Sequence, residues 1–191
     1  RDQPRSRGLG DVYKRQGYAS MDYYRYLEFN DNYGIIPVQN GKNLTLNVPV
    51  TSAVPGAKGV KADCITDGAS LDSSTYFQKS SNATIGTPYM FTVDMQKKAR
   101  ISEINLSTRL VNGSEAAYKY TIEGSLDGKS YKMLVDGRTN WQVGFLILNV
   151  EDPTAYRYLR LRIYGVVNVH KGNSAMWADG IYEFTALGIP E

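Results

Sequence analysis

The chain has 191 residues and a formal charge of +3 at pH 7, from 22 Lys and Arg against 19 Asp and Glu. The whole excess lies in residues 1–16, and the remainder has 17 of each sign. A nucleic-acid binder needs clustered Lys and Arg, so the charge pattern gives that class no support. No run approaches the roughly 20 apolar residues of a membrane-spanning helix. The single cysteine, Cys64, excludes an intrachain disulfide and a cysteine-built metal site.

The first 41 residues lack the pattern of a folded domain. Residues 1–16, RDQPRSRGLGDVYKRQ, have no apolar periodicity and resemble the adapter-derived translations found at the ends of metagenomic reading frames. We interpret them as non-native and exclude them from the fold, which would leave the native N-terminus missing and secretion signals undetermined. Residues 17–41, rich in Tyr and Asn, are interpreted as a linker or the tail of a preceding domain.

From residue 42 onward the pattern is typical of antiparallel strands, because short alternating runs are separated by Gly, Asn, Asp, Ser and Pro. The alternating runs lie at residues 89–95, 118–122, 146–150, 159–163 and 180–188. Leu159, Leu161 and Ile163 form one apolar row, and the intervening Arg160 and Arg162 are expected to face solvent. The number and spacing of the runs predict an all-β domain, an antiparallel β-sandwich or jelly roll rather than a closed up-and-down barrel.

One strand is predicted to be irregular. In the segment ARISEINLS, Ile101 is out of phase with Ile104 and Leu106, although all three are apolar. An extra residue in one strand of a pair shifts the alternation in this way. The sequence therefore predicts a β-bulge near Ser102.

Several motifs follow one another in an order typical of a single family. They are NLTLNVPVTSA and ITDG (residues 43–53 and 65–68), FTVDM (91–95), RLVNG and YTIEGSLDGKSY (109–113 and 120–131), AYRYLRLRI (155–163) and WADGIYEFTALG (177–188). Together they resemble the factor V/VIII type C, or discoidin, family, over about residues 42–188. The glycan-binding bacterial members of that family are called family 32 carbohydrate-binding modules. The chain departs from the family pattern at Met95-Gln96, at Tyr131, which replaces a tryptophan, and in a longer loop after Gly68.

The resemblance implies both a fold and a function. The fold would be a galactose-binding-like (discoidin) β-sandwich. The function would be that of a non-catalytic module which binds glycan and tethers a larger bacterial protein, such as a glycoside hydrolase or a polysaccharide-utilisation lipoprotein. Its partners would be a glycan and the other domains of the parent chain, in an extracellular, cell-surface or periplasmic setting. The alternative is a structural or adhesive domain of the same fold that makes interdomain or protein contacts and binds no sugar.

The resemblance also implies binding residues. Arg109 and Asn112 match the arginine and asparagine of the family's sugar-binding loop, and both side chains can hydrogen-bond to vicinal hydroxyls. Gln78 stands where galactose binders of the family commonly have a histidine, so specificity for galactose is not implied. Trp141 and Trp177 are the two tryptophans that could stack on a sugar ring. The alternative for either tryptophan is packing against the edge of the sandwich.

A calcium site is implied in the same way. Asp67, Asp72 and Thr75 lie in one polar loop, DGASLDSST, and Glu183 lies on the last predicted strand. Family 32 modules often hold a structural Ca²⁺ between that loop and the closing-strand glutamate. Calcium takes about six to eight oxygen ligands, which these four residues would supply in part. The alternative is an Asx turn with a solvated carboxylate.

The sequence gives little support to catalysis. No G-x-S-x-G, H-E-x-x-H, P-loop or G-x-G-x-x-G motif is present. Cys64 and His170 are the only residues of their kinds, and Cys64 is expected to be a small buried thiol, while His170 is a weak candidate for a ligand contact. Asp179 and Glu183 could act as a glycosidase pair. A closing strand of a compact sandwich leaves little scaffold for a deep cleft, however, so we expect no enzyme activity.

Overall fold

The computed structural model describes residues 41–69, 76–80, 88–109 and 115–191. The described residues form eight strands and three short 3₁₀ helices. The strands are β1 (Lys42–Asn43), β2 (Val50–Ser52), β3 (Tyr89–Thr108), β4 (Ala116–Ser125), β5 (Lys132–Gly137), β6 (Phe145–Asn149), β7 (Ala155–Asn168) and β8 (Ile181–Pro190), and the helices are Ala57–Gly59, Ala62–Thr66 and Met176–Ala178. None of these helices has the length or apolarity of a membrane span. The interpretations of residues 1–16 and 17–41 fall, up to residue 40, outside the described residues, so the domain boundary at residue 42 stays a prediction.

The architecture depends on the long strand β3, which takes part in two layers. Its first part pairs with β2 and β7, and its second part pairs with β8 and β6. One layer therefore has the order β2-β3-β7-β4-β5 and the other β1-β8-β3-β6, with every pairing antiparallel. The register with β7 shifts between Asp94 and Ala99, where Gln96 adopts a left-handed φ of 65°. This confirms the predicted all-β, antiparallel sandwich.

The core lies between the layers and follows the predicted alternation. Fully buried side chains come from alternate positions of three neighbouring strands: Tyr89, Phe91 and Val93 on β3, Tyr118, Tyr120 and Ile122 on β4, and Leu159, Leu161 and Ile163 on β7. Phe77, from the segment before β3, closes the core edge-on against Phe91, with ring centres 4.8 Å apart. Alternation works as a predictor here because each of these strands has one face toward the core.

The bulge predicted near Ser102 is confirmed. The register between β3 and β8 shifts between Ile101 and Glu103, so that Ser102 is the extra residue. Its hydroxyl donates a hydrogen bond to the carbonyl oxygen of Leu187, 3.2 Å away. The shift allows Ile101 and Ile104 to be buried together even though they are three positions apart.

The prediction that Arg160 and Arg162 face solvent is wrong in degree, because both side chains are half-buried. Arg160 forms an ion pair with Glu123 on the neighbouring strand, and its guanidinium carbon lies 3.7 Å from the ring centre of Tyr131. Tyr131 replaces the tryptophan of the family pattern. Side-chain packing on the outer face therefore covers part of these arginines. Alternation alone assigns each side chain either to the core or to solvent, and does not predict such partial burial.

A glycine is required at position 124 on β4 because the ring of Tyr156 packs directly against the strand backbone there. A Cβ built on it would lie 2.7 to 2.9 Å from ring carbons of Tyr156, closer than real contacts allow. We expect Gly124→Ala to lower the free energy of unfolding by about 1–3 kcal/mol, since overpacking forces the ring or the strand to move. Urea unfolding of the two proteins measures the difference.

The matched control for this change is Gly165→Ala on the adjacent strand β7, where a Cβ would meet nothing within 4 Å. That variant should match the original chain to within about 0.5 kcal/mol or be slightly more stable. Equal stabilities for the two variants would contradict the packing account of Gly124.

Candidate functional site

The candidate site lies at the end of the sandwich where β3 ends and β8 begins. Phe77 and Ile181 exchange two backbone hydrogen bonds of 2.8 and 2.9 Å, which lay the segment 76–80 against the start of β8. On the other side, the backbone N–H of Arg109 donates to the carbonyl oxygen of Gly180 at 2.8 Å. Gly180 is therefore flanked by Tyr76 on one side and Arg109 on the other.

A glycine is needed at position 180 because its neighbours approach so closely. A Cβ there would lie 2.9 Å both from Arg109 Cβ and from Tyr76 Cδ2. From the core side, the buried Tyr118 hydroxyl donates to Gly180 O at 2.9 Å and accepts from Gly180 N at 2.5 Å. Burial keeps the pKa of Tyr118 well above its ordinary value, so the hydroxyl stays protonated and can serve in both bonds.

Arg109 is half-buried, and its guanidinium carbon lies 5.2 Å from the centre of the Tyr76 ring. Tyr76 leans in turn on Tyr182, with ring centres 5.3 Å apart and planes tilted by 58°. No carboxylate within the described part of the chain forms a salt bridge with Arg109. Two tyrosines in contact thus orient a cation whose N–H groups can serve as donors to a ligand.

Gln78 and Trp177 complete the cluster. The Gln78 side-chain amide donates to the carbonyl oxygen of Trp177 at 3.2 Å. Trp177 lies in the short helix Met176–Ala178 and is 57% exposed. An exposed indole has a flat apolar face and a polar edge, both of which a ligand can use.

The structure thus brings together three of the predicted binding residues, Arg109, Gln78 and Trp177, around Gly180. Asn112 lies outside the described residues. Trp141 lies elsewhere, against Lys119 on the outer face of the β4 layer. Sequence reasoning missed Tyr76. The only available signal was its position two residues before Gln78, which did not distinguish a ligand-facing ring from a core ring.

The predicted metal residues fall into two groups. Asp67 and Glu183 are described, whereas Asp72 and Thr75 lie outside the described residues. Glu183 is only 3% exposed, and one of its oxygens accepts a 3.1 Å hydrogen bond from Gly68 N. Asp67 is exposed and accepts from Ala69 N at 2.8 Å, which is the Asx-turn geometry of the alternative interpretation.

The electrostatics of the Asp67 and Glu183 pair fit a hard cation. The pKa of Glu183 is raised to about 8, chiefly by burial and to a smaller extent by the nearby carboxylate of Asp67. Two carboxylates that repel each other, one of them buried, are the donor set that a bound Ca²⁺ compensates. The described residues hold no group of three or more Asp, Glu, His or Cys side chains arranged for a metal, so any further ligands would come from other oxygens.

Asp179 is placed as a structural group. It is fully buried at the end of the helix Met176–Ala178 and accepts hydrogen bonds from the Tyr89 hydroxyl at 2.5 Å and from Lys79 N at 3.3 Å. Burial raises its pKa. Its carboxylate ties the segment 76–80 to the core, and Glu183 is engaged with Gly68, so the two do not present the exposed pair of acid groups that a glycosidase requires.

The two remaining candidates also have structural partners. His170 Nε2 lies 2.5 Å from an oxygen of the buried Glu115, in the loop after β7. Cys64 is half-buried rather than buried, at a surface cleft of 540 Å³, and desolvation raises the pKa of its thiol to about 11. A thiol held in its protonated form is a poor nucleophile.

Comparison with known proteins identifies one family and many solved structures that share the fold. The sequence matches the family described as the F5/8 type C domain over residues 49–179. No curated protein matches it. Many solved structures do, all those named here at under 25% identity, which shows the fold alone.

Three of the solved structures illustrate the likeness. CpGH89CBM32-4 of Clostridium perfringens is 17% identical, with a TM-score of 0.58 over 77% of this chain and 99% of that one. Chitosan-binding module 1 of a chitosanase/glucanase from Paenibacillus sp. IK-5 is 19% identical, with a TM-score of 0.58 over 77% and 99%. The C-terminal domain of a chitobiase from Bacteroides fragilis is 18% identical, with a TM-score of 0.57 over 77% and 97%.

The raised pKa of Glu183 predicts a pH dependence of stability. A glutamate in the unfolded chain has a pKa of about 4.3, whereas Glu183 in the folded protein has one of about 8. Between these values the folded state retains a proton that the unfolded state has released, so the unfolding free energy falls as the pH rises. Without divalent cations, Glu183 should contribute a fall of up to about 1.4 kcal/mol per pH unit.

The variant Glu183→Gln keeps an acceptor for Gly68 N and removes the titration. Urea unfolding in chelator from about pH 5 to about pH 8 should therefore give the original chain a steeper loss of stability than the variant. Asp179, whose pKa is also raised, is present in both proteins and cancels in the difference. Parallel pH profiles would contradict the assignment to Glu183.

Proposed function

The chain belongs to the F5/8 type C domain family, and we propose that it is a non-catalytic module which binds glycan and tethers a larger bacterial protein to its substrate. The observation that carries this proposal is the cluster around Gly180, in which Arg109 bonds to Gly180 O, Gln78 bonds to the backbone carbonyl of Trp177, and the Trp177 side chain is exposed. Sugars present both hydroxyls and apolar C–H faces. Amide and guanidinium donors suit the hydroxyls, and an indole suits the faces.

The solved relatives support the same ligand class. The Clostridium perfringens domain CpGH89CBM32-4 has been solved in complex with GlcNAc-α-1,4-galactose, and chitosan-binding module 2 of the Paenibacillus chitosanase/glucanase with chitotriose. The fold also matches 15% of a family 89 glycoside hydrolase from Clostridium perfringens. A module appended to such an enzyme would act outside the cell, at its surface or in the periplasm.

The expected affinity is low. The cluster offers one exposed ring and a few donors, which must offset the desolvation of a well-hydrated sugar. A dissociation constant of about millimolar to high micromolar follows for a single site. Tethering would then depend on several modules or on repeated glycan epitopes, which raise the effective concentration of each partner.

A second candidate function is favoured by the apolar side chains at the β4–β5 turn. Leu126 and Met133 are both about half exposed there, and Leu126 lines a cleft of 390 Å³ together with Tyr131 and Tyr156. An exposed apolar patch is typical of a surface that packs against another domain. In this alternative the chain is a structural or adhesive domain that binds no sugar.

We also propose that Asp67 and Glu183 hold a structural Ca²⁺, with Asp72 and Thr75 as further ligands. The support is the buried carboxyl group of Glu183, whose pKa is raised chiefly by desolvation, so that a bound cation would stabilise its charged form. A bound cation would supply positive charge at the point where the loop after Asp67 meets β8. It would thereby hold that loop beside the segment 76–80, which carries Tyr76 and Gln78.

A screen against glycans at high probe density tests the binding function. We expect Arg109→Ala and Trp177→Ala each to weaken binding to any glycan retained by the unchanged chain by about tenfold or more, because each removes a ligand contact. Asn112→Ala should behave in the same way if the family's loop is used. Isothermal titration with the best glycan measures the change.

The matched control is Arg100→Ala, which removes an exposed arginine in the middle of β3 that pairs with Glu191, beyond the end of β8 that lies away from Gly180. It should leave glycan affinity unchanged. Retention that survives Arg109→Ala and Trp177→Ala would refute this site, and a screen without any bound glycan would favour the structural alternative.

Calcium is expected to raise the melting temperature of the chain, and chelation should reverse the effect, because a ligand that binds only the native state stabilises it. Glu183→Gln and Asp67→Asn should lose the response. Glu151→Gln, which changes an exposed glutamate far from the loop in sequence, should keep it. A melting temperature insensitive to both calcium and chelator would rule out the cation.

A further inference from the structure

A second surface lies on the outer face of the β2-β3-β7-β4-β5 layer, away from the core. Five side chains form it, and we refer to them as the outer-face cluster: Lys119, Arg138, Trp141, Arg162 and Tyr164. Lys119 on β4 points away from the core because its neighbours Tyr118 and Tyr120 are core residues. Trp141 contacts Lys119 from the loop after β5, which also carries Arg138, and Arg162 and Tyr164 lie on the neighbouring strand β7.

The cluster has two exposed aromatic rings, one on each side of Lys119. Trp141 is 56% exposed and Tyr164 37% exposed. Lys119 pairs with Gly165 on β7, next to Tyr164, while Trp141 approaches from the opposite side of β4. The backbones at Trp141 and Tyr164 are therefore about two strand spacings apart, roughly 10 Å.

Trp141 is held in a fixed orientation. The ammonium of Lys119 lies 3.7 Å from the centre of its ring, which covers one face and leaves the other accessible. The same ammonium donates to the carbonyl oxygen of Asn140, and the Asn140 amide donates to Tyr118 O at 3.1 Å. The β4 backbone thus positions the loop, and the exposed indole has the rigidity of a stacking platform.

Positive charge is in excess on this face. Arg138 is neutralised by a bidentate pair with Asp136, at 2.9 and 2.6 Å. Within the described part of the chain, neither Lys119 nor Arg162 forms a salt bridge, and Arg162 Nε has no hydrogen-bond acceptor. The cluster therefore has two uncompensated cations, in a chain whose charges balance beyond residue 16.

We propose that the outer-face cluster is a second carbohydrate site, which takes an anionic glycan bearing carboxylate or sulfate groups. Trp141 and Tyr164 stack on sugar rings, and Lys119 and Arg162 pair with the acidic groups. Charge complementarity selects an anion, and aromatic platforms select a ring with an apolar face. The inference relies on the proposed function only for the ligand class, since it uses none of the residues around Gly180.

Affinity electrophoresis of the full chain tests this site, with gels that contain polygalacturonate, chondroitin sulfate or neutral dextran. We expect retardation in one or both anionic gels and none in dextran, with a loss of retardation when salt rises from about 50 to about 500 mM. Trp141→Ala and Lys119→Gln should each weaken binding about fivefold or more. Retardation by polygalacturonate identifies carboxylate as a recognised group. Chondroitin sulfate carries both carboxylate and sulfate, so retardation by it alone identifies sulfate only if unsulfated chondroitin gives none.

Matched controls separate the two sites. Trp177→Ala and Arg109→Ala, which alter the cluster around Gly180, should leave the anionic retardation unchanged. Lys129→Gln, which removes an exposed lysine at the β4–β5 turn, should do the same. Urea midpoints check folding, and if Trp141→Ala is unstable, Trp141→Phe keeps a ring and should bind with an intermediate affinity.

Four results would overturn the inference: no retardation in either anionic gel, equal retardation in dextran, equal losses in Trp141→Ala and Trp177→Ala, or tighter binding of a single-stranded oligonucleotide than of either polysaccharide. The proposed function is judged separately, by neutral glycan binding that depends on Arg109 and Trp177. Either site can therefore fail while the other stands.

Discussion

The geometry of the candidate site depends on the buried hydroxyl of Tyr118. This hydroxyl lies directly beneath Gly180 and bonds to both its N–H and its carbonyl. A buried tyrosine must find partners for its hydroxyl, and here the partners are the backbone just before β8. With that backbone fixed, Arg109 and Tyr76 close on Gly180 from either side. The neighbouring Asp179 secures the same turn through the Tyr89 hydroxyl and Lys79 N.

Tyr118 also connects the two surfaces discussed above. Its hydroxyl positions Gly180, while its carbonyl oxygen accepts the Asn140 amide that orients the loop carrying Trp141. The side chain of this residue therefore supports the backbone at Gly180, and its main chain supports the loop that carries Trp141. Loss of the Tyr118 ring would disturb the core and one site, whereas the backbone contact to the other site belongs to the strand itself.

Sequence reasoning was most successful where one physical rule dominates. The alternation in β3, β4 and β7 was predictable because each strand has one face toward the core, and the phase error at Ile101 located the bulge at Ser102. The motif SLDG also has a local cause, since the Asp127 carboxylate accepts from the backbone N–H groups of Lys129 and Ser130. Tertiary packing was less accessible. It buried half of Arg160 and Arg162, placed Trp141 on Lys119 rather than beside Gly180, and brought Tyr76 to Arg109 through a contact between segments far apart in the chain.

The pairing of β1 with β8 determines at which end of the sandwich the domain's first strand begins and its last strand ends. Lys42 lies opposite Gly188, so the first and last strands run side by side at one end. The candidate site lies at the start of β8, and the nine residue steps from Ile181 to Pro190 span roughly 30 Å. Polypeptide joined to either end would leave from the pole opposite the cluster around Gly180. A neighbouring domain could then be large, or move widely on its connection, without sterically blocking access to the cluster around Gly180.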